Sequence, residues 1–125
     1  AEKHFKKATA CLNWAHDNGV FTISICHGPA AFLSTLINGN DFLYQGYKMA
    51  VFPDSVDAQS PLIGYLPGKM PWGLSEKLKE LGVNLANSKA DNTVCRDRLL
   101  ITGASPLAAD ALGKLAAETL ASVRT

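Results

Sequence analysis

The sequence predicts an α/β fold with a mostly parallel sheet, and three observations support this. Helical periodicity alternates along the chain with short runs of β-branched and apolar residues. Glycine stands where predicted helices end. The first strand is apolar along most of its length, which is typical of a parallel strand that is covered on both faces. No repeat, low-complexity tract or linker divides the 125 residues.

The first half of the chain predicts two helices and two strands. Apolar residues recur at spacings of three and four over residues 2–18, which indicates an amphipathic helix. Residues 20–25 (VFTISI) form the first strand, and we expect this strand to be central and buried. A short apolar helix follows over residues 30–37, with Pro29 in its first turn. Residues 47–52 (YKMAVF) are the second strand candidate.

The second half begins with residues 55–72, which lack periodicity and are interrupted by prolines and glycines. A long irregular stretch inside a compact domain is often a functional loop. The elements predicted after it are a helix over 74–81, a strand over 83–86, a hairpin of 93–95 with 99–102 around a turn at 96–98, and a helix from residues 105–106 to about 122.

Composition excludes several classes of protein. A hydrophobic content of 47% excludes a disordered tail, and a net charge of +1 disfavours a nucleic-acid-binding protein. No apolar run approaches the roughly 20 residues of a membrane span. The three cysteines Cys11, Cys26 and Cys95 form no CxxC pair and cannot all pair within the chain. Free thiols in a reducing cytoplasm are therefore expected.

Residues 26–29 (CHGP) carry the strongest chemical signal, because they join an apolar strand directly to a helix. This is the layout of a nucleophile elbow at the carboxyl edge of a sheet. We expect Gly28 to leave room for a substrate and the helix start to favour the thiolate of Cys26. His27 would exchange protons with the sulfur. A cysteine that ends an apolar strand is more often a core residue, but the adjoining His-Gly-Pro and helix start favour a nucleophile.

An acid partner for His27 is expected after the second strand, at the same edge of the sheet. Asp54 and Asp57 both follow that strand, and spacing alone does not decide between them. Pro-Asp-Ser is also a common turn sequence, in which the aspartate bonds its own backbone.

Several segments resemble the ThiJ/PfpI superfamily, and most closely its heat-shock branch of HchA-type proteins, described as chaperones, as glyoxalase III and as protein deglycases. The resemblance runs from about Cys11 to the end of the chain, with the motifs in family order. The matching segments are 25–31 (ICHGPAA), 50–57 (AVFPDSVD), 63–68 (IGYLPG), 97–103 (DRLLITG) and 105–117 (SPLAADALGKLAA).

This resemblance implies a flavodoxin-like three-layer sandwich, with residues 1–125 as the carboxyl-terminal portion of a single domain. It implies that Cys26 is the nucleophile, that His27 is its adjacent histidine, and that Asp57, not Asp54, is the acid. The implied reaction needs no cofactor: the thiol adds to a 2-oxoaldehyde such as methylglyoxal, or to an early glyoxal adduct on a protein or nucleotide. Holding of unfolded client proteins, a homodimer and a cytoplasmic location are also implied.

The chain also departs from the family. A glutamate that contacts the nucleophile, part of the oxyanion hole, and a metal site of two histidines and a glutamate belong to the early half of the family's domain. His4 and His16 lack suitable spacing on one helix, so we predict no metal in this chain. We expect the chain to be truncated, cleaved or completed by a partner chain, with an unpaired edge on the strand that ends at Cys26.

Two alternatives to a glyoxalase or deglycase stay open. One is a holding chaperone without significant catalysis, and the other is a related cysteine peptidase. A glutaminase is disfavoured, because its histidine usually lies far downstream and no histidine follows His27.

Overall fold

Two small sheets organise the computed structural model, which describes residues 2–64 and 67–123. The first sheet has the strand order β1-β5-β4, and the second pairs β2 with β3. The strands are β1 (Thr22–Ile25), β2 (Lys48–Met49), β3 (Asn84–Leu85), β4 (Val94–Asp97) and β5 (Leu100–Gly103). Among the described residues, β1 runs parallel to β5, β2 runs parallel to β3, and the β4–β5 hairpin is antiparallel. The predicted α/β class is therefore confirmed.

Helices connect these strands. They are α1 (Glu2–Asp17), a 3₁₀ helix (Gly28–Gly39), α2 (Asp54–Asp57), α3 (Leu74–Glu80), a 3₁₀ turn (Pro106–Ala108) and α4 (Ala109–Val123). The long 3₁₀ helix packs against α1, where the Thr9 hydroxyl donates to the Ser34 carbonyl at 2.6 Å. α4 packs on β5. The Ser105 hydroxyl caps the 3₁₀ turn that precedes α4, because it accepts a hydrogen bond from the Leu107 N–H at 3.1 Å.

The exposure of β1 differs from the sequence-based expectation. Within the described part of the chain, β1 has β5 as its strand neighbour and lies at the edge of the order β1-β5-β4. Ile23 is 47% exposed, so the expectation of a strand covered on both faces is wrong here. The edge position agrees with the expected unpaired edge.

Two further elements differ from their predicted form. Residues 30–37 are helical as expected, but the helix is of the 3₁₀ type and begins at Gly28. The hairpin turn lies at Arg98 and Leu99, with Arg98 in the left-handed region at φ +56°, because β4 continues to Asp97. Tyr65 and Leu66, from the motif at 63–68, lie outside the described residues.

The main core lies around β2, α3 and the long 3₁₀ helix. Its buried residues are Phe32, Phe42, Tyr44, Tyr47, Met49, Val51, Leu74, Leu78, Val83 and Leu100. The rings of Phe32 and Tyr44 stack at 4.3 Å between centroids. A smaller cluster of Ile101, Leu112 and Ala116 fixes α4 on β5. Ile25, the last residue of β1, packs against this smaller cluster, which therefore positions the strand that leads into the site described below. None of the helices in the described ranges has the length and apolar character needed to cross a bilayer.

Candidate active site

Cys26 occupies a strained backbone position at the end of β1. Its φ is +62°, in the left-handed region that residues other than glycine rarely adopt. The Cys26 N–H donates to the Gly103 carbonyl at 2.9 Å, and the Phe52 N–H donates to the Cys26 carbonyl at 2.9 Å. These two bonds hold the residue between neighbouring segments. Non-glycine residues in this conformation cost on the order of 1–3 kcal/mol and concentrate at functional sites.

His27 bridges the thiol and a carboxylate. Its Nδ1 lies 3.3 Å from Cys26 Sγ, and its Nε2 lies 2.8 Å from Asp57 Oδ1 and 3.0 Å from Oδ2. A carboxylate only accepts hydrogen bonds, so Nε2 carries the ring proton and donates it to Asp57. The lone pair of Nδ1 therefore faces the sulfur. The Phe52 ring, with its centroid 4.5 Å from that of the imidazole, supports His27 from one side.

Asp57 and Asp54 lie at opposite ends of α2 and have different partners. Asp57 is 7% exposed and directs both carboxylate oxygens towards His27. Asp54 accepts hydrogen bonds from the backbone N–H groups of Ser75 and Glu76, each at 2.9 Å, and so caps α3. The structure thus brings Cys26, His27 and Asp57 together and places Asp54 in a separate hydrogen-bond set.

The ionisation of Cys26 differs from the sequence-based expectation. Burial raises the pKa of the Cys26 thiol, the backbone N–H of His27 opposes this, and the negative charge of Asp57 raises the pKa further. The net effect favours the neutral thiol. The sequence predicts that the helix after Cys26 favours the thiolate. In the structure, desolvation by burial has the larger effect on the pKa of Cys26.

Gly28 is needed for packing beneath the elbow. A Cβ atom at this position would collide with Ser24 Oγ. The sequence pattern predicts that Gly28 leaves room for a substrate, whereas in the structure its missing side chain makes room for Ser24 of β1. A Cβ atom at Gly73 would likewise collide with the Asp54 carboxylate.

A cavity of about 500 Å³ opens beside the sulfur. Its lining residues are Cys26, His27, Phe52, Val56, Asp57, Gln59, Ser60, Ile63, Met70 and Pro106. The apolar members of this lining were not predicted from the sequence. Val56 could have been found from its place beside Asp57 in the matching segment, whereas no local pattern indicates Met70.

Metal ligands are not clustered in the described part of the chain. Within residues 2–64 and 67–123, no three His, Cys, Asp or Glu side chains lie close enough together to hold an ion. His4 and His16 are both exposed on α1. These residues do not fit the two-histidine, one-glutamate site that the resemblance implies for other members, and the absence of a metal or cofactor from this chain stays a prediction.

The fold and this cluster define the class: an α/β protein with a cysteine, a histidine and an aspartate in contact at a strand-to-helix turn. Comparison with curated proteins identifies relatives at 50% identity over 111 residues. They include protein/nucleic acid deglycase HchA of Escherichia coli O1:K1 / APEC and protein/nucleic acid deglycase 1 of Escherichia coli strain K12. The match covers 89% of this chain and 38% of each relative. No protein-family model matches the chain.

Solved structures show the same fold. The protein designated APC35852 superposes with a TM-score of 0.77 at 22% identity, over 92% of this chain and 51% of that one. Glyoxalase III from Candida albicans superposes with a TM-score of 0.59 at 21% identity, over 79% and 43%. The predicted flavodoxin-like architecture is confirmed, and so is the resemblance to the HchA-type branch of the ThiJ/PfpI superfamily.

Proposed function

We propose that this chain carries the reactive cysteine of a cofactor-independent deglycase or glyoxalase. The observation that carries the proposal is the unbroken contact from Cys26 through His27 to Asp57 at the wall of a cavity. The curated relatives named as protein/nucleic acid deglycases support this class of reaction. The chain spans 38% of their length, and the proposal concerns the chemistry of this cysteine.

In the first step, His27 acts as a general base. Because burial raises the pKa of Cys26, the thiol must lose its proton as it attacks. Nδ1 of His27 takes that proton, and the sulfur bonds to the aldehyde carbon of a 2-oxoaldehyde. The carbonyl electron pair moves to oxygen, which accepts the proton back from His27. Asp57 stabilises the transient imidazolium and fixes its orientation. The product is a hemithioacetal.

In the second step, protons move within the bound adduct. His27 removes the proton from the carbon bonded to sulfur, and the adduct passes through an enediol to which a proton returns on the neighbouring carbon. The former aldehyde carbon becomes a thioester and the former ketone becomes an alcohol, so oxidation and reduction balance inside the substrate. Water then cleaves the C–S bond, which releases a 2-hydroxy acid and restores the Cys26 thiol.

A glycated amine enters the same route. In an early adduct, the former aldehyde carbon carries a hydroxyl group and the amine nitrogen. The sulfur forms its bond to this carbon as the C–N bond breaks, and the amine leaves with the proton that His27 took from the thiol. The result is the same hemithioacetal, so one thiol serves both the free aldehyde and its adducts.

The direct test measures lactate formed from methylglyoxal and amine released from a methylglyoxal-treated peptide. Cys26→Ala should abolish both products, because the proposed reaction uses the thiol that contacts His27. Cys11→Ala is the matched control, since Cys11 is an exposed thiol on α1 and should be dispensable. Turnover that survives Cys26→Ala, or a chain with its native cysteines that yields neither product, would contradict the proposal.

A holding chaperone is the second candidate. Leu62 and Ile63 are 86% and 76% exposed beside the cavity, and exposed apolar surface of this kind binds unfolded chains. This activity does not need the thiol. Suppression of aggregation of a heat-unfolded client should therefore persist in Cys26→Ala, and its loss together with turnover would argue against a separate chaperone function.

Three further features stay predictions from the resemblance and from cysteine usage: a homodimer, a cytoplasmic location and independence from cofactors. Sedimentation of the purified chain tests for the homodimer. Independence from cofactors predicts that exhaustive chelation leaves turnover unchanged. A cysteine peptidase with the same contacts would be recognised by cleavage of an unfolded protein substrate that depends on Cys26.

A further inference from the structure

The cavity beside Cys26 has two unlike walls. One wall is the reactive set of Cys26, His27 and Asp57. The other wall is apolar and is formed by Val56, Ile63, Met70 and Pro106. A substrate whose carbonyl reaches the sulfur therefore shares the cavity with several hydrocarbon side chains.

The polar groups of the cavity do not favour a charged substituent. Among the described lining residues none is cationic, and Asp57 contributes a negative charge. The Ser60 hydroxyl is already donating to the Val56 carbonyl at 3.5 Å, and the side chain of Gln59 contributes an uncharged amide. An anionic group such as a phosphate or carboxylate would lose its hydration here without gaining a counter-charge.

The volume of the cavity also exceeds the needs of the smallest 2-oxoaldehyde. About 500 Å³ lies within the roughly 300–1,000 Å³ typical of sites for drug-sized ligands. Methylglyoxal carries only a methyl group beside its two carbonyls and would leave most of the apolar wall uncovered. A larger apolar substituent would displace water from this wall and gain the corresponding transfer free energy.

We infer that the preferred substrates are uncharged 2-oxoaldehydes, or adducts of them, that carry a bulky apolar substituent which Ile63 and Met70 contact. This inference rests on the proposed function, since it names the substrate class of the same site. Ile63 and Met70 would act on specificity through binding and not through the chemical step.

The first experiment measures cavity preference without requiring turnover. Iodoacetamide, N-benzyliodoacetamide and iodoacetate each alkylate a thiol by displacing iodide. Site-resolved mass spectrometry gives the rate at Cys26, with exposed Cys11 as internal reference. After normalisation to Cys11, the benzyl reagent should react about tenfold faster than iodoacetamide at Cys26, the gain expected for burying one ring. Iodoacetate should react more slowly than iodoacetamide at Cys26.

Ile63→Ser and Leu62→Ser form a matched pair of variants. Ile63 lines the cavity, whereas its neighbour Leu62 does not, and both are well exposed, so neither change threatens folding. Ile63→Ser should reduce the benzyl preference about threefold or more, and Leu62→Ser should leave it unchanged. Equal preference at Cys26 and Cys11, or equal effects of the two variants, would overturn the inference.

The second experiment compares kcat/KM for phenylglyoxal and methylglyoxal. Phenylglyoxal should be preferred, and Ile63→Ser should raise the KM for phenylglyoxal by a larger factor than the KM for methylglyoxal, whereas Leu62→Ser should change neither KM. Turnover of both aldehydes without this response overturns the inference and leaves the proposed function standing. Absence of turnover together with a retained benzyl preference overturns the proposed function and leaves the apolar preference of the cavity standing.

Discussion

The two ends of α2 contain the same residue type and use it differently. At its carboxyl end, Asp57 accepts a hydrogen bond from the His27 ring, whose other nitrogen contacts Cys26 Sγ. At its amino end, Asp54 accepts two backbone hydrogen bonds from the start of α3. Residues three apart lie on the same face of a helix, but they are offset by about 4.5 Å along its axis, so the two carboxylates at opposite ends of α2 meet different neighbours. Position, not residue type, separates a group suited to chemistry from one suited to stability.

The largest effect that would test this comparison is expected for Asp57→Asn. The asparagine keeps the size of the side chain but can donate to His27, which removes the preference for a proton on Nε2. We expect kcat/KM for methylglyoxal to fall by about 10²–10⁴-fold, as for the corresponding change in other Cys/Ser-His-Asp sites. Circular dichroism should show an unchanged fold. A loss smaller than about threefold would mean that Asp57 does not orient His27.

The next effect is expected for Asp54→Ala, which tests the role of the aspartate at the amino end of α2. Loss of this cap leaves the N–H groups of Ser75 and Glu76 without their carboxylate acceptor and should lower the free energy of unfolding by about 1–2 kcal/mol. The rate of Cys26 chemistry per folded molecule should stay within about threefold of the original. Urea titration and single-turnover assays measure the two quantities. A large rate loss without destabilisation would reverse the assignment of the two aspartates.

The sequence could predict the site more completely than its surroundings. Cys26 and His27 are adjacent, and the strand-to-helix pattern around them is local, so the elbow could be predicted from the residues. Local spacing did not decide whether Asp54 or Asp57 is the acid partner of His27, and the family resemblance indicated Asp57. The cap on α3 could not be predicted, because it depends on tertiary packing across 21 residues of sequence. The raised pKa of Cys26 was missed for the same reason, since burial depends on walls from distant segments.

A further effect on stability is expected from filling the space at the elbow and at the amino end of α2. Gly28→Ala should cost less than Gly73→Ala, because a Cβ at 28 meets only the rotatable hydroxyl of Ser24, whereas a Cβ at 73 also meets Asp54 Cγ at 2.9 Å. We expect about 1 kcal/mol for Gly28→Ala and about 1–3 kcal/mol for Gly73→Ala.

Second-site changes supply the control for these glycine variants. Ser24→Ala should restore most of the stability lost in Gly28→Ala but none of that lost in Gly73→Ala. The coupling is measured by a double-mutant cycle of urea unfolding free energies. Additive effects of Gly28→Ala and Ser24→Ala would show that the collision does not cause the loss.

The smallest effect concerns the pH dependence of Cys26 alkylation, which the negative charge of Asp57 influences. Burial and the Asp57 charge raise the pKa of Cys26, so its alkylation by iodoacetamide should continue to accelerate above the pH at which an ordinary thiol has fully ionised. Removing the negative charge in Asp57→Asn withdraws one of the raising causes, and the alkylation midpoint should move to lower pH. Asp54→Asn removes the same charge from the other end of α2 and should leave the midpoint in place. The two profiles, recorded at low ionic strength where charge effects are least screened, therefore separate a specific action of Asp57 on the thiol from a change in net charge. Equal shifts in both variants, or a shift to higher pH in Asp57→Asn, would contradict the electrostatic link between this carboxylate and the reactive sulfur.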